Sequence, residues 1–354
     1  MEIITIQYAE LHQLIKNKIT KAGLLEEHAE KVADNLAYAD ASAIHSHGAV
    51  RVEYYSERIA KGGITHRPDF RFEQTGTSTG VFHGDNGVGH AAADYAMDEA
   101  IRLAKETGIG VVGISRMSHS GVLAPFVERA AQNDLVGISV CQSDPMAVPF
   151  GGSEPFFGTN PIAFAAPVLD KAPIIFDMAT TVQAWGKVLD ARAKNQQIPD
   201  TWAVDVDGNP TTDPHQVNAL LPIAGPKGYG LMLMVDILSG SMLGLPFGKH
   251  VTSMYEDLSA GRELGQLHIV IDPAKFTDVN TFKKNLAQMT EELNSQKPQE
   301  GFKQVLYPGQ RANGTRKNSM ENGIPVVREI YDYLVSDDVH YNNYDHGNAF
   351  ASKK

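Results

Sequence analysis

Residues 111–121 read VVGISRMSHSG, and residues 136–166 read VGISVCQSDPMAVPFGGSEPFFGTNPIAFAA. Val111 to Ile114 is a β-branched run that ends in a polar tip, Ser115 to Gly121. Val136 to Cys141 is a second apolar run, ending in Gln142-Ser143-Asp144-Pro145. Between them Val122, Phe126 and Ala130 recur at helical spacing. The pattern predicts a strand–helix–strand unit with polar tips at the carboxyl ends of both strands. Open α/β sheets collect ligands at those ends, which makes His119 and Asp144 candidate site residues. A lone histidine is as often a surface or satisfied core residue. Here the flanking Ser118, Ser120 and Gly121, and the buried strand before them, favour chemistry.

Working outward, residues 6–62 read as wholly helical. One helix opens at Thr5 or Ile6 and ends at Gly23, a second spans Glu26 to Asp40, and a third spans Ala49 to Lys61 before Gly62-Gly63. Arg51 and Tyr55 lie four apart and share a face of the third helix, with His47 just before its first turn. Together they make a candidate carboxylate site, because Arg grips a carboxylate through two bonds and a helix start favours anions. The plainer alternative is a solvated Arg on an amphipathic helix. Residues 70–84 alternate as strands, and Gly87-x-Gly89-x-x-Ala92 then opens a helix to about Thr107. That is the Rossmann pattern, but the next strand ends in Arg116 rather than in the acidic residue the full fingerprint requires. The glycines therefore read as a turn and helix start.

Downstream, Ile174 to Asp177 reads as a strand and Val182 to Ala193 as a helix, followed by a loop-rich stretch, 195–225. Pro226 starts the most apolar helix, to about Leu245. Lys227 stands in its first turn, where a cation is unfavourable unless an anion shares the site, a hint of phosphate binding. Leu267 to Ile271 reads as a strand, 278–294 as an amphipathic helix, and Gln304 to Tyr307 as a strand running into Pro308-Gly309-Gln310-Arg311. Val326 to Leu334 reads as a terminal helix and the tail after Ser336 as loose.

The 354 residues suggest about two domains, with 42% hydrophobic and 21% charged residues as in ordinary globular proteins. A formal net charge of -11 argues against nucleic acid or an anionic membrane surface as partner, yet leaves small anionic substrates open. The single cysteine, Cys141, reads as a small buried hydrophobe, and we assign no metal site. The N-terminal segment lacks a basic region followed by a long apolar run, and Tyr229 to Leu245 is too short and polar for a membrane span, so a cytoplasmic protein is expected.

Several stretches together resemble the malate/L-lactate dehydrogenase family that is distinct from the common Rossmann-type enzymes. They are Ile44-His45-Ser46-His47-Gly48 with Arg51 and Tyr55, Ser118-His119-Ser120-Gly121, Pro149-Phe150-Gly151-Gly152, Gly158 to Phe164, Phe176-Asp177-Met178-Ala179, and Gly225 to Gly230. The family usually carries Arg-Gly before the Ile-x-Ser-His-Gly motif, where this chain has Ser42-Ala43. The resemblance implies an α/β fold, with a mixed β-sheet NAD-binding domain of non-Rossmann topology (74–311) beside a helical domain from both chain ends (1–73 and 312–354). It implies a homodimer and His119 as the catalytic acid/base, with Asp144 orienting it or stabilising its charge. Arg51, His47 and Tyr55 would bind a small 2-hydroxy acid. NAD contacts carry over to Ser143, Asp177, Met178, Ala179, Lys227, Gly309, Gln310 and Arg311. Within the family, Cys141 to Met146, Thr180 to Arg192, Gly248-Lys249, Ser253 to Tyr255 and Gly265 to Ile271 resemble the branch that oxidises (S)-ureidoglycolate to oxalurate in allantoin and purine breakdown. Malate, L-lactate or another 2-hydroxy acid is the alternative substrate.

Overall fold

The computed structural model describes residues 2–344. Strand β1 (Ile3–Ile6) leads into helices α1 (Tyr8–Ala22), α2 (Glu26–Ala41) and α3 (Val52–Ala60). Then come β2 (Arg71–Gln74), β3 (Thr79–His83), α4 (Gly89–Thr107), β4 (Ile109–Met117), α5 (Ala124–Gln132), β5 (Val136–Cys141), β6 (Ile162–Ala166) and β7 (Ile174–Met178). Helix α6 (Trp185–Ala193) and the two-residue strands β8 (Ala203–Val204) and β9 (Ala219–Leu220) precede α7 (Pro226–Ser239). The chain continues through β10 (Leu264–Ile271), α8 (Val279–Ser295), α9 (Gln310–Asn322), β11 (Ile324–Val327) and α10 (Arg328–Val335). No helix among the described residues is long and apolar enough to cross a membrane.

Seven strands form one mixed sheet in the order β2-β3-β4-β10-β5-β6-β7. β3 and β4 pair in parallel, whereas β10 pairs antiparallel with both β4 and β5. β4 and β5 are therefore parallel to each other with β10 between them, and their carboxyl ends share one edge. Alternation along the strands sorts two faces. Val112, Ile114 and Cys141 join the apolar core under α4 and α5, while Val111, Val140 and Leu267 meet Val235 of α7 on the other side. Both faces are covered, which explains why these strands read as nearly continuous apolar runs.

A second core belongs to the helices. Leu11, Ile15 and Ile19 of α1 and Val32, Ala33 and Leu36 of α2 are fully buried there with Ile324 and Val326 of β11. Val88 and Ala91 at the start of α4, and Met254, Tyr255 and Leu258, join the same core. The helical layer thus seats α3 against the loop that follows β4.

Several local expectations need correction. The first helix starts at Tyr8, because Ile3–Ile6 is a β-branched run that pairs with Ile324–Val327. The terminal helix accordingly begins only at Arg328. Pro325 is tolerated in that pairing because the sheet has only two strands. The helix expected to reach Leu245 stops at Ser239, and the one expected from Val182 starts at Trp185. Gln304 to Tyr307 forms no strand, and α9 follows it unforeseen. That helix is polar all round with only Ser319 buried, so it has no apolar period to read. The tail is not loose as far as Tyr344. Lys18 Nζ donates to Ser336 O and Asp338 O at 2.8 Å each, and Asn343 Nδ2 donates to Glu53 Oε1 at 2.8 Å. The rest of the expected loose tail, 345–354, lies outside the described residues.

The Rossmann-like glycines have a packing cause. β3, α4 and β4 do form a parallel crossover, but a Cβ on Gly89 would collide with the carbonyl oxygens of Ser118 and His119. A Cβ on Gly87 would press on Phe70 and Pro68. Gly89→Ala should lower unfolding free energy by about 1–3 kcal/mol, the usual cost of overpacking, as read by chemical denaturation. A glycine needed only for a bound phosphate would leave that value unchanged.

Candidate active site

The strand register gathers the candidate residues. Leu264 opposes Met117 and Gln266 opposes Cys141, so the start of β10 meets the ends of β4 and β5. Val140 opposes Ile162, which opposes Met178, so the start of β6 and the end of β7 lie at the same edge. Residues 118–121, 142–144, 159–160 and 178–180 are thereby brought to one side of the sheet.

The helical layer brings Tyr55 to this edge. Its hydroxyl lies 2.6 Å from His119 Nδ1, which the Gly121 N–H also approaches at 3.2 Å. The other ring nitrogen, Nε2, has no hydrogen-bond partner among the described residues. The His47 ring stacks on His119 with centroids 5.9 Å apart. Burial, and then the neighbouring His47, His90, Arg51 and Arg262, hold the His119 imidazole well below its ordinary range, so it is neutral at physiological pH. His47 is pushed down to about 3 by burial and Arg51, and is also neutral. Burial keeps Tyr55 a phenol.

Asp40, at the end of α2, builds the turn that presents His47 and Arg51. Its carboxylate accepts the Ala49 N–H at 2.6 Å and faces His45 Nδ1 at 2.8 Å. A Cβ at Gly48 would strike that carboxylate, so the glycine is required by close approach. Arg51 is held at two points: its Nε donates to Ser46 O at 2.7 Å and its Nη1 to the Tyr255 hydroxyl at 2.5 Å.

Asp144 lies at the same edge, but its carboxylate is engaged elsewhere. One oxygen accepts from Arg262 Nη2 and the other from the Met254 N–H. Arg262 is only 1% exposed and also binds Thr252. Neither Arg262 nor Tyr255 was singled out by spacing, because both lie in an irregular segment before β10, and Asp40 reads as an ordinary late-helix acid.

The candidate cofactor residues fall into four places. Ser143 Oγ accepts the Thr159 N–H at 2.8 Å, which ties the end of β5 to the approach to β6. The Asp177 carboxylate accepts from Leu123 N and Ala124 N at 2.9 Å each, capping α5. Burial raises its pKa to about 6. Met178 and Ala179 follow it toward the site edge. Lys227 is exposed in the first turn of α7, after Gly225 at φ 59. Gly309, at φ 86, caps α9, and its Cα lies against the backbone of Ile175. Gln310 Oε1 accepts the Tyr307 N–H at 3.2 Å, and Arg311 is exposed.

A family model described as malate/L-lactate dehydrogenase matches residues 6–335. The chain belongs to that family. It is 58% identical over 341 residues to the NAD(+) ureidoglycolate dehydrogenase of Escherichia coli K12, covering 96% of this chain and 98% of the relative. The enzyme's fold is similar to sulfolactate dehydrogenase from Methanocaldococcus jannaschii, with a TM-score of 0.87 and 34% identity over 94% of this chain and 95% of that one. Malate dehydrogenase from Pyrococcus horikoshii OT3 gives a TM-score of 0.85 and 35% identity over 94% and 93% of the two chains.

The pairing of Asp144 with Arg262 leads to a stability test. Removing one partner of a buried ion pair leaves the other charge uncompensated. Asp144→Ala should lower unfolding free energy by about 3–5 kcal/mol in denaturant titrations. An Asp that serves only to orient His119 would reduce turnover and leave the titration unmoved.

Proposed function

We propose that the enzyme oxidises (S)-ureidoglycolate to oxalurate (N-carbamoyl-2-oxoglycine) with NAD, as a step of allantoin and purine breakdown. The observation that carries this reading is the 2.6 Å contact of Tyr55 with a neutral His119, on the helix that follows Arg51. The Gly121 N–H donates to Nδ1, so the Tyr55 hydroxyl donates there too and the resting imidazole carries its proton on Nε2. The Tyr55 oxygen keeps its lone pairs for the substrate hydroxyl. Arg51 takes the substrate carboxylate with the N–H groups left over from Ser46 and Tyr255, and neutral His47 lines the site beside it. The hydroxyl proton passes to the Tyr55 oxygen as the Tyr55 proton passes to His119 Nδ1, the hydride leaves carbon 2, and the C–O bond becomes a carbonyl. Asp144 acts as a positioning residue through Arg262 and the Met254 N–H.

Bound NAD supplies the hydride acceptor. The donor set suits an anionic dinucleotide. Lys227 and Arg311 are exposed in the first turns of two helices, neither in an ion pair among the described residues, and helix starts favour phosphate. Ser143, Asp177, Met178, Ala179, Gly309 and Gln310 complete the proposed contacts, with Asp177 contributing backbone because its carboxylate caps α5.

The same reading makes the enzyme a cytoplasmic homodimer. Leu231, Leu233, Met234 and Ile237 leave an apolar face of α7 uncovered, which supports a second copy there. It divides the chain into a helical domain (1–73), an NAD-binding domain (74–311) and a C-terminal segment (312–354), and the two separate apolar cores support that division. The second substrate reading, malate, L-lactate or another 2-hydroxy acid, is favoured by the relatives named malate and sulfolactate dehydrogenase.

Steady-state assays of ureidoglycolate, malate and lactate with NAD and NADP should give the highest kcat/KM for ureidoglycolate with NAD. A higher value for malate or lactate would move the assignment to the second reading. His119→Ala should cut turnover by roughly two to four orders of magnitude while NADH affinity stays put. The depressed basicity of His119 also fixes a pH profile. A base with a lowered pKa stays unprotonated as pH falls, so the acid limb of kcat/KM should lie below the ~6.5 of an ordinary imidazole. A docked carboxylate favours the imidazolium, so the limb of kcat should lie above that of kcat/KM. Limbs in the reverse order would exclude His119 as the titrating base.

A further inference from the structure

We propose that Tyr344 is a positioning residue for the Arg51 guanidinium, acting through Tyr255, and that it thereby sets the affinity for the substrate carboxylate; this rests on the reading of Arg51 as the carboxylate clamp. The Tyr255 hydroxyl accepts from Arg51 Nη1 at 2.5 Å. Tyr255 itself stands in the irregular segment that precedes β10, so no helix or strand fixes its ring. The ring is fixed from outside. Tyr344 stacks on it with centroids 6.1 Å apart and 19° between planes. Tyr54, on the first turn of α3, meets both rings edge-on, at 5.6 Å from Tyr255 and 5.7 Å from Tyr344.

Tyr344 is in turn pinned to the helix that follows Arg51. Its N–H donates to Glu57 Oε2 at 3.2 Å. Just before it, the Tyr341 N–H at 3.2 Å and Asn343 Nδ2 at 2.8 Å both donate to Glu53 Oε1. Glu53 and Glu57 lie one turn apart on α3. Residues 336–344 therefore form a strap, tied at its near end to Lys18 and at its far end to two acids of α3. The strap presses one aromatic ring against the tyrosine that holds Arg51. A long guanidinium side chain loses much rotamer freedom when it grips an anion. Holding Arg51 at Ser46 and at Tyr255 removes part of that loss before substrate arrives.

The test uses Tyr344→Ala and Tyr344→Phe in the full chain, with wild type and Arg51→Ala as references. Tyr344→Ala should raise KM for the 2-hydroxy acid roughly 5- to 20-fold with kcat within about twofold, the pattern of lost uniform binding. NADH affinity and melting temperature should not change. Tyr344→Phe keeps the ring and the backbone N–H and should behave as wild type. Calorimetric titration of oxamate into NADH-loaded enzyme reads the same carboxylate site without turnover, and Tyr344→Ala should weaken it by the same factor. An unchanged KM and oxamate affinity in Tyr344→Ala would overturn the proposal, as would a fall in kcat together with melting temperature. If oxamate binds wild type and Arg51→Ala equally, the clamp reading fails and this inference with it. If Arg51→Ala alone loses oxamate, the clamp reading stands and only the role of Tyr344 is refuted.

Discussion

Residues 264–271 hydrogen-bond on one side to residues 109–117 and on the other to residues 136–141. This late strand holds apart two strands that a single short helix connects. Directly paired, their tips would stand about 5 Å apart; with β10 between them the separation is roughly 10 Å. The gap is where the candidate site residues gather. It also admits the segment before β10, so that Arg262 arrives beside Asp144 at the tip of β5 while His119 occupies the tip of β4. The same insertion removes the parallel neighbours a Rossmann sheet would need, and the one parallel crossover that remains, β3–α4–β4, uses its glycines for packing.

Charge organises the segment that precedes β10. Arg58 and Arg262 are both about 1% exposed. Arg58 donates to the carbonyls of Met254 and Ala260, and Arg262 to the Thr252 carbonyl and to Asp144. Residues 252–260 are thus wrapped around two guanidiniums, because the buried donors must find acceptors and backbone carbonyls are the ones within reach. One consequence is the placement of Tyr255 on Arg51. Another is a local surplus of positive charge, since Arg51, Arg58 and Arg262 share only Asp144 among the partners described above. That surplus favours an anionic substrate and weakens His119 as a base for as long as no anion is near.

What the sequence made legible follows from how local each signal is. The apolar runs of β4 and β5 and the helical spacing of α5 are short-range patterns, and the strands and helix form where they lie; the third helix, expected from Ala49, starts at Val52, and Arg51 stands in the 3-10 turn before it. The insertion of β10 was not readable, since its pairing joins residues more than a hundred positions apart and leaves no periodic trace. The pairing of β1 with β11 was missed for the same reason. α9 was missed because a helix that buries almost nothing has no amphipathic period. At the site, the strand–helix–strand pattern points to His119 and Asp144, the resemblance gives His119 its role, and residue spacing groups Arg51, His47 and Tyr55. The partners that hold them, Asp40, Arg262 and Tyr255, act through contacts that only the tertiary structure creates. Asp177 shows the opposite case: its position was anticipated, but its carboxylate caps α5.

On the proposed reading, these links make substrate charge part of the catalytic base. Burial is the first cause that weakens His119 as a base, and nearby cationic Arg51 and Arg262 oppose a positive charge on it as well. A carboxylate on Arg51 offsets that opposition from within the same cluster, because Tyr55 joins His119 directly and lies one helical turn from Arg51. The base therefore strengthens when an anionic 2-hydroxy acid docks. With those proposed roles, a neutral alcohol of the same size would lose twice: it would forgo the two-pronged grip of Arg51, and it would leave His119 too weakly basic to take its proton. Selection for the carboxylate and activation of the base would then be one electrostatic arrangement, and the turn built by Asp40 and Gly48 would bear on the rate as well as on binding.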